Sequence, residues 1–197
     1  GLWTRIVERP YGVIANPDAT PKAIFVSAFD SAPLAPDYNF VLKEEKAAIE
    51  AGMALLARLT DGKLHLSARK GDEGFMSSIK GVEYHTFSGK HPVGSVGVQI
   101  HHIDRIAKGD IVWTVNIQDV AIIGRFVMTG KLDMTKIIAV AGSEAQKACY
   151  KRIISGASIE SIVGKVASNV RIISGDVLTG SKSTADGYIA MNANMLS

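Results

Sequence analysis

The segment from 81 to 130 limits the possible folds of this chain more than any other feature. Val82–Phe87 alternates between apolar and polar residues, which is typical of a strand. A turn rich in glycine and proline follows, and Ser95 can cap a helix with an apolar face. Ile111–Val115 predicts another strand, and Asn116 is well placed as the next helix cap. Alternating strands and helices of this kind favour a parallel sheet with helices on both faces.

The residues upstream extend the same pattern. Ala23–Ala28 is a continuous apolar run, as expected of a strand covered on both faces. Lys63–Ser67 alternates and predicts a second strand, and between the two an apolar stripe recurs at helical spacing (Leu42, Ile49, Met53, Leu56). Leu2–Val7 is predicted as one or two helical turns that precede this core. We therefore predict an α/β fold, a Rossmann-like doubly wound parallel sheet over residues 1–132 with an N-terminal lead-in.

The pattern changes after Gly130, which is a plausible end for the preceding helix. Two strands, a short helix capped by Ser158 and further strand material up to Gly180 follow one another. This order predicts a small β-grasp domain over residues 133–182. The polar stretch at 181–187 is linker-like, and Tyr188–Met191 predicts one more strand. We expect residues 183–197 to be a linker and the start of a truncated C-terminal part, in a chain that is a central fragment of a longer protein.

Composition excludes several classes of protein. The single cysteine, Cys149, rules out an intramolecular disulfide and an iron–sulfur cluster held by this chain alone, since such clusters need several thiolates. The apolar runs are far shorter than the ~20 residues that a membrane helix needs. The surplus of basic residues lies within 131–182. This basic segment is either a solvated face or a docking face for an acidic partner or an anionic membrane. It has no basic cluster with interleaved aromatic residues and therefore does not indicate nucleic-acid binding.

The motifs of nucleotide binding are missing. A dinucleotide fold needs glycines between its first strand and first helix, so that the backbone can approach a pyrophosphate. The corresponding stretch, Phe29–Asp37, contains none, which disfavours NADH binding in the ordinary manner. Gly175–Lys182 resembles a phosphate-binding loop only with the order of its last residues inverted, and chance explains it better.

The loop between the strand at 82–87 and the helix after Ser95 is the best candidate for a ligand or partner site. Backbone amides and the helix dipole at such a position can hold an anion, and ligands of open α/β sheets bind at the carboxyl ends of strands. The competing interpretation is that the glycines and Pro92 only shape a turn. The residues of this candidate loop are Gly89, Lys90, His91, Gly94 and Ser95.

Five histidines suggest a metal site, but their spacing argues against one. His101 and His102 are neighbours on a helix, so their side chains diverge by about 100°. His65 and His85 lie on different strands and can meet, yet we find no third ligand at metal-binding spacing. We therefore expect structural histidines and no metal site, and we predict no catalytic residue and no cofactor-binding residue in this chain.

Several stretches along the whole chain carry a resemblance to a known family. They are Gly1–Thr4, Ala23–Ala28, Ser88–Pro92, His101–His102, Trp113–Val120, Thr129–Leu132, Gly156–Ser158, Arg171–Gly175 and Leu178–Gly180. Through them the sequence resembles the A subunit of the Na⁺-translocating NADH:ubiquinone reductases, and it is distantly similar to the flavin-bearing subunit of complex I and to the equivalent Rnf subunit. That resemblance implies the same order of domains, Rossmann-like and then soluble-ligand-binding β-grasp.

The resemblance also implies a function. Members are peripheral subunits on the cytoplasmic face of the bacterial inner membrane, in a six-subunit pump that couples NADH oxidation and ubiquinone reduction to Na⁺ export. The chain is then expected to carry no cofactor, because the flavins, the iron–sulfur cluster, NADH and ubiquinone are handled by other subunits. It would dock on the integral quinone-reducing subunit, with contact to ubiquinone left open.

The loop after the first strand distinguishes two hypotheses. The flavin-bearing relatives have an acidic, glycine-containing loop there and cysteines for a cluster, whereas this chain has Asp30–Pro33 and lacks those cysteines. This difference favours a docking subunit without a cofactor. The alternative is a flavin- or nucleotide-binding oxidoreductase module, which the strand–helix order and the Lys90–His91 pair would favour.

Overall fold

The computed structural model describes residues 1–167 and 169–197, and these form two compact units. The first unit contains residues 1–31 and 37–133, and the second contains residues 32–36 and 134–197. The described residues include no helix that is both long and apolar enough to pass through a membrane.

A six-stranded sheet forms the centre of the first unit. Its order is β2-β1-β6-β3-β4-β5, in which β6, β3, β4 and β5 are parallel and β1 and β2 are antiparallel additions at one edge. The four parallel strands confirm the predicted fold class, and the run predicted at 23–28 is almost entirely buried, as expected of a central strand. The strands are β1 (Val7–Arg9), β2 (Val13–Ile14), β3 (Ala23–Ser27), β4 (Lys63–Arg69), β5 (Glu83–Phe87) and β6 (Val112–Asn116).

Helices lie on both faces of this sheet because its connections run in two directions. The chain moves from β3 to β4 and β5 towards one edge, and then returns past β3 to β6. Since crossovers between parallel strands are right-handed, the helices of the outward and return connections lie on opposite faces. The helices of the first unit are α1 (Tyr38–Val41), α2 (Lys46–Leu56), α3 (Val96–Ile103) and α4 (Ile117–Thr129).

Local chemistry explains where the longest helix begins and ends. The side chain of Asn116 accepts a hydrogen bond from the amide of Gln118, as expected of a helix cap. Gly130 ends the helix in a left-handed conformation, with φ of 67°, and its amide donates to the carbonyl of Phe126. The start and the end predicted for α4 are therefore both confirmed.

The α2 and α4 helices approach each other closely through glycines. A Cβ atom at Gly124 would lie 1.6 Å from the carbonyl oxygen of Ala48, and one at Gly52 would lie 2.3 Å from the carbonyl oxygen of Val120. Both distances are far shorter than any real contact. The backbones of the two helices therefore touch, and only hydrogen fits between them.

The N-terminal lead-in differs from our prediction. A 3₁₀ helix covers only Leu2–Arg5, and the chain then forms the antiparallel hairpin of β1 and β2. β1 also pairs with β6, with Glu8 opposite Trp113. This pairing is with strand residues more than 100 positions away, so the local sequence did not reveal it.

In its described residues, the second unit is a small β unit with one helix, which agrees with the predicted fold class. Its mixed sheet has the order β10-β9-β11-β7-β8; β11 and β7 are parallel, and the other pairs of described strands are antiparallel. Ser158 caps its helix by accepting from the amide of Ser161, as predicted. The elements are β7 (Thr135–Val140), β8 (Cys149–Ile154), α5 (Ile159–Val163), β9 (Ile172–Ser174), β10 (Ser181–Ser183) and β11 (Met195–Leu196).

Two strand predictions and one linker prediction in the second unit were wrong. Residues 176–180 form a turn, in which the carboxylate of Asp176 accepts from the amides of Leu178 and Thr179 at 2.7 and 2.9 Å. β10 forms within the polar stretch that we considered linker-like. At Tyr188 there is only an isolated bridge to Ser158, and the last strand is β11. Short strands of this kind depend on their distant partners more than on their own residues.

Candidate functional site

The candidate loop of residues 88–95 joins the carboxyl end of β5 to the start of α3. Lys90, His91 and Ser95 are exposed, and Gly94 is half-buried. Gly89 has φ of 144°, a conformation that favours glycine. Ser95 occupies the cap position of α3, but its side chain makes no capping hydrogen bond, so our expectation that it caps the helix through its hydroxyl was wrong.

Two residues of the candidate loop contact the loop after β3. The Ser31 hydroxyl oxygen accepts from the amide of Gly94 at 2.8 Å, and it lies 3.1 Å from Nδ1 of His91. A Cβ atom at Gly94 would lie 2.4 Å from the amide nitrogen of Ser31. The two loops that follow β5 and β3 are thus in backbone contact, at the edge where open α/β sheets usually bind ligands.

Gln99 on α3 connects the candidate loop to the end of β3. Its side chain is 1% exposed, and Nε2 donates to the Ser27 hydroxyl at 3.0 Å and to the Gly94 carbonyl at 3.3 Å. The polar groups at the carboxyl end of β3 therefore bind to one another and to the candidate loop. Sequence reasoning missed Gln99, Ser27 and Ser31, although a glutamine on the apolar face of a predicted helix is a recognisable sign of a buried polar contact.

A groove lies on another part of the sheet, above β4 and β5 and beside the end of α3. Its volume is about 750 Å³. α3 packs on this face against Ala23, Phe25 and Val112, which belong to β3 and β6. The side chains of β5 remain exposed or half-buried, whereas those at 64–68 in β4 are buried. Both polar and aromatic side chains line the groove, namely Lys22, Lys63, His65, Glu83, Tyr84, His85, Thr86, Phe87, His102 and Asp104.

Two histidines and a glutamate converge on this groove. Nδ1 of His65 lies 3.0 Å from Nε2 of His85, and the potential ligand atoms of His65, Glu83 and His85 all lie within 4.8 Å of one another. Our expectation that no third ligand stands near the two histidines was therefore wrong. Glu83 precedes His85 by two residues in β5, and residues two apart on a strand share a face. The spacing could have been recognised from the sequence.

The environment sets the charges of these three groups. Burial lowers the pKa of His65, and the neighbouring His85 lowers it further. Burial also lowers the pKa of His85. A hydrogen bond from Lys63 lowers the pKa of the Glu83 carboxyl, and the two groups form an ion pair of 2.5 Å. At neutral pH the cluster therefore contains two neutral imidazoles and one carboxylate.

Two family models match the chain in order. The model described as "NqrA second alpha/beta domain" matches residues 1–132, and the model described as "NQRA C-terminal domain" matches residues 137–185. The first of these alone covers more than half of the chain.

Curated relatives agree with the family models. The chain is 41% identical over 182 residues to the A subunit of the Na⁺-translocating NADH-quinone reductase of Serratia proteamaculans, covering 91% of this chain and 40% of that protein. It is 38% identical over 200 residues to the protein of the same name from Neisseria meningitidis serogroup B, covering 100% of this chain and 45% of that protein. The chain thus spans less than half the length of these relatives.

Solved structures show a similar fold at low sequence identity. Two structures of an NAD⁺-reducing [NiFe]-hydrogenase, air-oxidised and H₂-reduced, match with TM-scores of 0.59 and 0.60 and identities of 15% and 13%. Each match covers 93% of this chain and 41% of the other. At such identities the likeness concerns the fold alone.

Proposed function

The chain belongs to the A-subunit family of the Na⁺-translocating NADH-quinone reductases, and we propose that it serves as the docking portion of such a protein. The observation that carries the proposal is the match of two consecutive family models over residues 1–132 and 137–185. The whole complex would couple NADH oxidation and quinone reduction to Na⁺ export. This chain would act in it as a peripheral part on the cytoplasmic face of the inner membrane, attached to the integral quinone-reducing subunit.

An exposed apolar hairpin supports the docking role. Tyr11, Val13 and Ile14 lie in or next to the hairpin of β1 and β2, with exposed fractions of 75%, 51% and 56%. β2 is the edge strand of the six-stranded sheet. Exposed apolar groups grouped on an edge are unusual for a surface that stays in water, and they are typical of a protein–protein contact.

We expect the double substitution Tyr11→Ser and Val13→Ser in the full-length protein to weaken its association with the other subunits by about tenfold or more, since buried aromatic anchors often contribute over ~1.4 kcal/mol to an interface. Association would be measured by copurification and by titration of the purified protein against the membrane subcomplex that lacks it. Tyr188→Ser is the matched control, because Tyr188 is 70% exposed and lies in the second unit. Equal affinities for the double variant and for wild type would contradict the docking role of the hairpin.

We also propose that the chain carries no flavin or nucleotide of its own. Two features support this: the absence of glycine from Phe29–Asp37 and the direct approach of Gly94 to Ser31. Backbone amides that already contact each other have no room for a pyrophosphate between them. Electrons would then pass from NADH to quinone through cofactors in other subunits, and this chain alone would not be catalytic.

The purified 197-residue chain is therefore expected to be colourless, without the flavin absorption near ~450 nm. The same result is expected after incubation with FMN or FAD and removal of free flavin on a desalting column. A stoichiometric yellow complex would instead favour the alternative, a flavin-binding oxidoreductase module. This measurement is independent of the docking experiment, so either proposal can fail alone.

A further inference from the structure

Neither docking nor the lack of a flavin explains the histidine cluster in the groove. His65 is on β4, and Glu83 and His85 are on the adjacent parallel strand β5. The register places His65 opposite Glu83, and it places Ser67 opposite His85. Because side chains alternate along a strand, all three residues point to the same face of the sheet, into the groove beside α3.

We propose that His65, Glu83 and His85 form a binding site for a single divalent cation of the Zn²⁺ type. Two imidazole nitrogens and a carboxylate oxygen are ligands that Zn²⁺ prefers, at about 2.0–2.2 Å from the ion. Ligand atoms around one four-coordinate ion are separated by a little over 3 Å, as those bond lengths require. The mutual separations here, all within 4.8 Å, need only small side-chain rotations to reach that arrangement.

The two imidazoles are already held in place. The His65 ring stacks on Phe25 with a centroid separation of 4.5 Å and an interplanar angle of 20°, and the residue is only 3% exposed. Nδ1 of His65 and Nε2 of His85 lie 3.0 Å apart in a hydrogen bond, which an ion bound to both rings would replace. That contact already brings the two nitrogens close to the separation expected of two ligand atoms around one ion. Such preorganisation reduces the entropy lost on binding. Burial also favours the neutral imidazoles that a metal ion requires.

Three protein ligands leave room for a further one. Four-coordinate Zn²⁺ with three protein ligands takes a water molecule or a group from a bound molecule in the fourth position. The groove of about 750 Å³ in front of the cluster is large enough for either. Lys63 competes with a bound cation, because its ammonium already pairs with one oxygen of Glu83. It leaves the second carboxylate oxygen available, so we expect Lys63 to weaken the site without closing it.

The test is a titration of the 197-residue chain with Zn²⁺ in competition with a chromophoric chelator. We expect one saturable site in the wild-type chain. His65→Asn and His85→Asn should each weaken it by at least about tenfold, since even the loss of an outer partner of a metal ligand costs 10–100-fold in affinity. His101→Asn is the matched control and should leave the affinity unchanged, because His101 lies on α3 outside the cluster. Lys63→Met should strengthen binding, since it removes the competing ammonium.

A second measurement keeps the proposal testable if a variant fails to fold. Co²⁺ added to the wild-type chain should give the intense visible absorption of a four-coordinate ion, and Zn²⁺ should remove it. Imidazole ¹⁵N resonances of His65 and His85, but not of His101, should shift on addition of Zn²⁺. The absence of a saturable site in the wild-type chain, or equal affinities in wild type and in folded His65→Asn and His85→Asn variants, would overturn the proposal.

Discussion

Gly124→Ala is expected to lower the free energy of unfolding of the first unit by about 3 kcal/mol or more, at or above the upper end of the usual 1–3 kcal/mol for overpacked cores. The added Cβ would lie 1.6 Å from the carbonyl oxygen of Ala48 and 2.9 Å from the amide nitrogen of Gly52. These are backbone atoms of α2, which cannot rotate away as a side chain can. The two helices would have to separate, and α4, whose residues from Ile117 to Gly124 are buried, would lose packing along its length.

Chemical denaturation followed by tryptophan fluorescence measures this effect. Both tryptophans of the chain, Trp3 and Trp113, belong to the first unit and lie 5.5 Å apart, so their emission reports on that unit. Gly97→Ala is the matched control, since it is also a glycine within a helix. A Cβ there would lie 3.0 Å from Nη2 of Arg9, the far end of a flexible side chain. We expect that variant to be unchanged or stabilised by up to about 1 kcal/mol, through the higher helix propensity of alanine.

Equal stability of Gly124→Ala and Gly97→Ala would mean that α2 and α4 are not in backbone contact. A loss seen only for Gly124→Ala would show that the doubly wound fold depends on this contact. The role of Gly124 could not be predicted from the sequence, because its close approach is to Ala48, about 75 positions earlier in the chain.

Features with local causes could be predicted from the sequence. The apolar run at 23–28 predicted β3 to within one residue, because a central strand must be apolar on the faces that helices cover. The alternation at 63–67 predicted the first five of the seven residues of β4. The caps at Asn116 and Ser158 depend on a side chain that binds an amide two or three residues away. In each case the physical cause lies within a few residues of the effect.

Features with distant causes could not be predicted in the same way. The hairpin of β1 and β2 exists because β6 offers it an edge, and β11 is only two residues long and is held between β7 and β9. Similarly, the contact of His91 with Ser31 depends on the approach of two loops. Glu83 is the exception, since its position on the same face as His85 follows from strand periodicity, and our prediction overlooked it.

Asp119→Ala is expected to destabilise the first unit by about 3–5 kcal/mol, the usual cost of removing one member of a buried ion pair. Asp119 and Arg5 are 4% and 5% exposed, and Nη1 of Arg5 lies 2.8 Å from the aspartate oxygen. Without the carboxylate, a charged guanidinium remains buried at Arg5, because arginine is not deprotonated in proteins. The pair also joins the N-terminal 3₁₀ helix to the first turn of α4, where a negative charge is favourable.

The double variant Arg5→Met and Asp119→Leu tests whether the loss comes from the buried Arg5 charge that no longer faces the Asp119 carboxylate. Replacement of both partners by apolar groups of similar volume is often neutral or stabilising, so we expect the double variant to recover at least about half of the loss caused by Asp119→Ala. Denaturation curves of the single and double variants, recorded by tryptophan fluorescence, give the comparison directly, since Trp3 is close in sequence to Arg5. If the double variant is no more stable than Asp119→Ala, the carboxylate must stabilise the unit by contacts other than its pairing with Arg5.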